Sequence, residues 1–355
     1  MNHTGGGADW IGWDVGGAHL KAARLAPDGR VACVAQAPCA LWRGVERLDE
    51  AYRLVSAEVG AAPARHIVTM TGELADCFTD RAHGVDAIIR RMGELLGRMF
   101  AVYAGDAGIV AADCFAAFTG RIASANWHAT ASLAAAHFGD GLLLDIGSTT
   151  TDLAPFSGGR VCARARTDAA RMQAGELLYT GVVRTPVMAL ADCFDINGAP
   201  HPVAAERFAE TADVYRLLEW LPERADQHPA CDNGDKTPVG SARRLARMFG
   251  CDDDGNTTHW RGAALAIAAV QQRKIVEAVR LLVAREALDA RAPVVGAGAG
   301  AFLARRVANA CSRRFAGFDE LFATLPDELS QRACDCAAAV SVARLASIND
   351  EQTTR

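Results

Sequence analysis

Apolar positions come in short blocks along this chain, and two stretches share one arrangement. Residues 10–13 and 142–144 are apolar runs that lead into Asp14-Val15-Gly16-Gly17-Ala18-His19-Leu20-Lys21 and Asp145-Ile146-Gly147-Ser148-Thr149-Thr150-Thr151-Asp152. A second apolar run follows each loop, at residues 20–25 and 153–156. Apolar runs of that length around an Asp-x-Gly loop read as strand, turn and strand. The match then continues: the small turns Asp28-Gly29 and Gly158-Gly159 precede Arg30-Val31 and Arg160-Val161, which open a third strand in both places. The pattern predicts an internal duplication.

Between and beyond the copies the period changes. Residues 66–70 read as a strand ending in the polar cluster Thr71-Gly72-Glu73-Leu74-Ala75-Asp76. Carboxylates just past a strand's C-terminal end stand where open α/β sheets bind ligands. Val85, Ile88, Ile89, Met92, Leu95 and Leu96 make one helical stripe, and residues 126–137 predict a helix feeding the second copy. From 187 to 259 the pattern loosens, broken by Asn197-Gly198-Ala199-Pro200, His228-Pro229 and Asp252-Asp253-Asp254-Gly255, as an insertion of short helices would be. A long helix is expected over 260–288, then a short strand and the glycine turn Gly296-Ala297-Gly298-Ala299-Gly300 opening a helix at 301–308, and an Ala-rich helix over 333–345. The expectation is an α/β protein of two lobes, 9–139 and 140–349, with an α-helical insertion over 187–259 in the second.

Composition narrows the classes. A chain of 355 residues with net charge -5 and pI near 6.0 has no block of Lys and Arg, which argues against nucleic-acid and membrane-surface partners and for small-molecule substrates. No apolar stretch is long enough to span a bilayer and residues 1–8 lack the features of a signal peptide, so a cytoplasmic protein is expected. Eleven scattered cysteines fit reduced thiols, and the single close pair, Cys334 and Cys336, reads as buried helix residues before a metal site.

The loops carry the chemistry. Gly16, Gly17 and Gly147 let backbone approach an anion and offer N–H groups, while Asp14 and Asp145 at the strand ends supply oxygen for a hard cation such as Mg²⁺. One Asp-x-Gly loop is explained by an ordinary turn; two with matched flanks point to a pair gripping a phosphate chain. Lys21 is one of three lysines, with Lys236 and Lys274, in a chain otherwise using Arg, which suits a compact phosphate-binding charge. The late glycine turn is set apart from a dinucleotide fingerprint with Asp319 by its Gly-x-Gly-x-Gly spacing and its place near the C-terminus.

Two such loops with a late glycine turn resemble the actin, sugar kinase and heat-shock chaperone ATPase superfamily, and the second loop resembles its hydantoinase A and oxoprolinase branch. Thr71-Gly72-Glu73-Leu74-Ala75-Asp76-Cys77-Phe78, Ala125-Asn126-Trp127, and the run from Gly175-Glu176-Leu177 to Arg184-Thr185-Pro186 resemble synthases of the methanofuran pathway within that branch. Two ribonuclease H-like lobes, with Asp14 and Asp145 facing one cleft, are what the resemblance implies. It further implies a transferase of one-carbon metabolism, linked to methylotrophy, that joins an aminomethylfuran pyrophosphate to a glutamylated tyramine or tyrosine phenol and releases pyrophosphate. On that view Asp14 and Asp145 hold Mg²⁺, and Lys21, Ser148, Thr149, Thr150 and the loop N–H groups bind phosphate, with Arg184 either joining them or making a salt bridge. Glu73, Asp152 and Glu176 are unranked candidates to accept the phenol proton or orient the substrate amine. Asn126, Trp127, Tyr179, Gly296 and Gly298 line the substrate pocket, with a core position the alternative for Trp127 and Tyr179; His19 and His128 stand nearby without a visible partner. One departure is Gly17-Ala18, where many kinases of the superfamily carry a hydroxyl. An ATP-dependent small-molecule kinase or amidohydrolase and a non-catalytic nucleotide sensor stay open, as does a homo-oligomer.

Overall fold

The computed structural model describes residues 8–353 except 61, 98, 254, 256, 323 and 324. Residues 1–7 and Asp254 of the acidic turn lie outside the described residues. In chain order the elements are β1 (Asp9–Val15), β2 (His19–Leu25), β3 (Val31–Pro38), α1 (Arg47–Val59), β4 (Ala64–Met70), α2 (Arg81–Leu96), β5 (Ala101–Tyr103), β6 (Ile109–Ala111), α3 (Thr119–Ile122) and α4 (Asn126–Phe138). Then come β7 (Gly141–Ile146), β8 (Thr151–Ser157), β9 (Arg160–Val161), α5 (Asp168–Gln173), β10 (Leu177–Leu178), β11 (Cys193–Ile196), β12 (Ala199–Pro202), α6 (Thr211–Leu217) and α7 (Pro238–Met248). The chain closes with α8 (Thr257–Arg285), β13 (Val294–Ala297), α9 (Ala301–Ala310), β14 (Phe315–Gly317), α10 (Asp327–Asp335) and α11 (Ala337–Thr353).

The duplication is real. In the first sheet, ordered β3-β2-β1-β4-β5-β6, β1 and β2 form an antiparallel hairpin and β4 returns parallel to β1. In the second, ordered β10-β8-β7-β13-β14 with β9 on β8, the β7–β8 hairpin is followed by β13 returning parallel to β7. β1 and β7 are near-continuous apolar runs because a central strand covered on both faces has no solvent face to keep polar. β5 and β6, three residues each, are too short to show a period in sequence.

The chain divides into two units: residues up to Gly141 with Ala154–Arg171 and everything from Gly317, and Leu142–Leu153 with Met172–Ala316. This differs from the expected cut at 139/140, because the C-terminal helices pack on the first sheet. Gly12 in β1 admits α11 so closely that a Cβ there would stand 2.1 Å from the Ala339 carbonyl oxygen. Trp10 Nε1 donates to Asp350 Oδ2 at 2.9 Å, and Lys21 Nζ donates to the Asp335 carbonyl at 2.6 Å. The first unit's core joins Ile11, Trp13, Leu20 and Val68 to Val55 of α1 and Ile88 of α2; the second joins Leu144, Ile146 and Val294 to Ile267, Ile275 and Val279 of α8 and Val307 of α9.

Two element expectations change. The insertion is not wholly helical: β11 and β12 form a hairpin whose turn, Asn197 and Gly198, has φ of 55° and 82°. Asn-Gly is the pair that tolerates two successive left-handed residues, as a two-residue hairpin turn requires. The Ala-rich C-terminal helix is two helices, because the chain turns at Cys336, the cap that closes α10.

Candidate functional site

In the first unit Gly16 N–H donates to the His19 carbonyl at 3.0 Å, closing the hairpin turn. The Val15 carbonyl accepts from Thr71 and Gly72 at 3.0 and 2.9 Å, so the polar cluster after β4 is docked on the loop. Gly72 permits this approach: a Cβ there would lie 2.6 Å from Leu41 Cδ2 and 3.1 Å from the Val15 oxygen. At the tip, a Cβ on Gly17 would meet nothing within 4 Å. Asp14 is buried opposite Lys21 on β2, and its Oδ1 accepts from Asn126 Nδ2 at 3.4 Å; Asn126 Oδ1 in turn accepts the Trp127 N–H at 2.6 Å as α4 begins. Two residues named from distant motifs thus meet.

Glu73 is fully buried. Its Oε1 accepts from Ser124 Oγ at 2.6 Å, and Oε2 has no hydrogen-bond partner among the described residues. Burial raises the carboxyl's pKa, with Asp168 adding to the rise and the Ser124 bond and Arg81 opposing it. A rise of this kind favours the protonated carboxyl relative to an exposed glutamate. Trp127 is core: it is buried, with the Arg171 guanidinium 3.8 Å above its ring centroid. His128 Nδ1 meets the Tyr103 hydroxyl at 2.8 Å, and burial pushes the imidazole pKa down to about 4. Lys21, expected on phosphate, donates to the Asp335 carbonyl at the C-terminal end of α10, where a cation complements the helix dipole. Burial pushes the Cys334 and Cys336 thiols up to about 12, so they are inert core residues.

The second unit repeats the turn. Gly147 N–H donates to the Thr150 carbonyl at 2.9 Å, as Gly16 does to His19. The Gly147 carbonyl accepts from Val182 at 3.0 Å and the Ser148 carbonyl accepts from Val183 and Arg184 at 3.1 and 2.9 Å. Gly181 is bare by necessity, since a Cβ there would fall 2.5 Å from the Gly147 and Ser148 backbone. From the other side Gly300 N–H donates to the Ile146 carbonyl at 2.8 Å, and Gly298, at φ 78°, leaves no room for a Cβ, which would sit 2.4 Å from Asp145 Oδ1. The second loop, the Gly181–Arg184 segment and the glycine turn therefore converge. Ser148 Oγ is buried without a hydrogen-bond partner among the described residues.

Other expectations fare differently. Glu176 is fully buried and paired with Arg285 at 2.5 Å, an ion pair that ties the segment before β10 to α8 and leaves the carboxylate committed. Asp152 lies on β8 opposite Leu177, partly exposed just past the loop. Gly296 serves packing: a Cβ would strike the Phe315 ring at 2.4 Å. Tyr179 is 58% exposed, outside any core. Burial lowers the Arg184 pKa, with Glu210 opposing, so Arg184 is a half-buried cation beside the second loop. Thr149 and Thr150 remain on the partly exposed turn.

Sequence reasoning missed Gln271. It is fully buried on α8, where Nε2 donates to Thr180 Oγ1 and the Gly181 carbonyl at 2.7 and 2.8 Å and Oε1 accepts from Tyr215 at 2.5 Å. The signal was a lone amide at the buried spacing Ile267, Gln271, Ile275. Among the described residues no group of three or more His, Cys, Asp and Glu could hold a metal. Mg²⁺ needs only one or two carboxylates when phosphate and water complete its shell, so the single carboxylates Asp14 and Asp145, each at a strand end, fit an ion that comes with phosphate. Among the described residues no helix is long and apolar enough to cross a membrane.

Residues 65–316 match the sequence profile of hydantoinase/oxoprolinase. The chain belongs to the hydantoinase/oxoprolinase family. A Methanocaldococcus jannaschii relative, "(4-{4-[2-(gamma-L-glutamylamino)ethyl]phenoxymethyl}furan-2-yl)methanamine synthase", is 28% identical over 243 residues, covering 68% of this chain and 72% of that one. The protein of the same name from Methanococcus vannielii is 34% identical over 107 residues, 30% of this chain and 46% of the other. Among solved structures, nucleotide-free acetone carboxylase shares the fold, with a TM-score of 0.53 at 8% identity over 95% of this chain and 69% of that one. The α/β architecture of this chain has two sheet-bearing units with an insertion in the second.

Proposed function

We propose that this member of the family is a transferase that joins (5-aminomethylfuran-3-yl)methyl pyrophosphate to a glutamylated tyramine or tyrosine phenol, forming an ether and releasing pyrophosphate. The observation that supports it is the second loop, whose hydroxyl-bearing turn is hydrogen-bonded by the Val182–Arg184 backbone, in a chain related to the two named synthases. In the reaction the phenol oxygen bonds to the furfuryl carbon as that carbon's bond to pyrophosphate breaks; the furan ring spreads the developing positive charge. Ser148, Thr149, Thr150 and the loop N–H groups would hydrogen-bond the leaving oxygens, and Arg184 would hold them by charge. Asp145, with Asp14 as its counterpart in the first loop, would hold Mg²⁺, which when bound neutralises phosphate charge. With Glu73 buried and its pKa raised, and Glu176 paired to Arg285, Asp152 would be the acceptor of the phenol proton.

Family and fold bear more directly on a broader reading, an ATP-dependent kinase or amidohydrolase. The glycine turn that opens α9 against Asp145 favours it, since bare backbone at a helix start can lie against adenosine. One incubation separates the two. The protein with Mg²⁺, the furan pyrophosphate and γ-glutamyltyramine yields the joined ether by mass spectrometry under the first reading; phosphate release from ATP with no ether supports the second.

A further inference from the structure

A small open cleft lies in the first unit beside Ser124, between the turn after β5 and the start of α4. Its walls carry both signs of charge. Arg166 makes two bonds of 2.5 Å to the two oxygens of Asp106, and Arg121 stands 3.9 Å from the same carboxylate. The three side chains are 58%, 40% and 51% exposed, so both signs face the opening. The bonds from Arg166 lower the Asp106 pKa, which keeps that carboxylate charged. His128 lines the cleft as a neutral ring, and the edge is bare at exposed Gly120, where a Cβ would meet nothing within 4 Å. Ser124 holds a left-handed φ of 52°, unusual for a residue with a side chain, and its hydroxyl is tied to buried Glu73 at 2.6 Å. Two residues on, Asn126 reaches Asp14 of the phosphate loop.

A lone anion such as phosphate would be repelled by Asp106, and a lone cation by two guanidiniums. A ligand carrying both charges satisfies both walls. We propose that this cleft takes the α-amino-acid end of a γ-glutamyl substrate, with Arg121 and Arg166 receiving the α-carboxylate and Asp106 the α-ammonium. The assignment rests on the transferase reading, because the γ-glutamylamino group is part of the product that gives the named synthases their name.

Calorimetry on the full chain with γ-L-glutamyltyramine and with tyramine tests it without any turnover. The glutamylated phenol is expected to bind about tenfold tighter, the size of one charge-assisted contact. In the Arg121→Ala, Arg166→Ala double variant and in Gly120→Met, which fills the cleft from a position with free space, that ratio falls to about one. The α-amide and N-acetyl forms of the glutamyl group lose the advantage in the parent chain. Equal binding of the two phenols to the parent, or a preserved ratio in Gly120→Met with an unchanged melting curve, overturns the assignment. Failure of the transferase reading shows separately, as absence of ether from either phenol with the furan pyrophosphate.

Discussion

Asp145 is the residue on which the phosphate reading turns, because it stands at the end of β7 where the second loop begins, with Gly298 close against its carboxylate. Asp145→Asn keeps the shape beside Gly298 and removes the charge that would hold Mg²⁺. Pyrophosphate release is expected to fall by a factor of roughly a hundred, about 3 kcal/mol of transition-state stabilisation, while the thermal melt stays in place. Near-parental release at low Mg²⁺ would make the loop a structural turn. Glu73 gives a pH-dependent test. Its folded pKa is raised above the ordinary 4.5, so the native state binds the proton more tightly and the contribution to stability is complete below that value. It is lost as pH rises from there through the folded pKa. Glu73→Gln, which keeps a neutral amide at every pH, should therefore gain on the parent chain as pH rises from 4 to 8 in melting scans. A constant difference across that range would mean that folding leaves the Glu73 pKa unshifted.

At the scale of elements, two glycines decide what can pack. Gly12→Ala would drive a methyl into the Ala339 carbonyl and push α11 off β1, at a cost of about 1–3 kcal/mol in urea unfolding. Gly181→Ala would instead displace the Gly147 and Ser148 backbone, and its expected mark is loss of stabilisation by pyrophosphate in Mg²⁺ with a smaller change in the ligand-free melt. A pyrophosphate shift equal to the parent's would uncouple that segment from the loop. These close approaches were not legible in sequence. The chain shows that a glycine is present and not what comes near it, whereas the hairpins, α2 and α4 announced themselves by their apolar periods.

At the scale of the whole molecule, the first unit is assembled from three separate stretches. A fragment of residues 9–139, the lobe expected from the repeat, lacks the helices that cover β1 and should not unfold cooperatively in calorimetry, whereas the full chain should. A sharp, reversible transition for the fragment would show that α10 and α11 are dispensable. By itself the sequence determined the duplicated hairpins, the strand ends at which Asp14 and Asp145 stand, the loosened insertion and the glycine turn, since each depends on residues within a few positions of one another. Tertiary structure decided the rest. Burial beside Ser124 raised the Glu73 pKa, Arg285 on a helix 109 residues away paired with Glu176, and the end of α10, 314 residues away, took a hydrogen bond from Lys21. What a titratable group does is set by its dielectric surroundings and by the charges beside it, and those are supplied by residues remote in the chain.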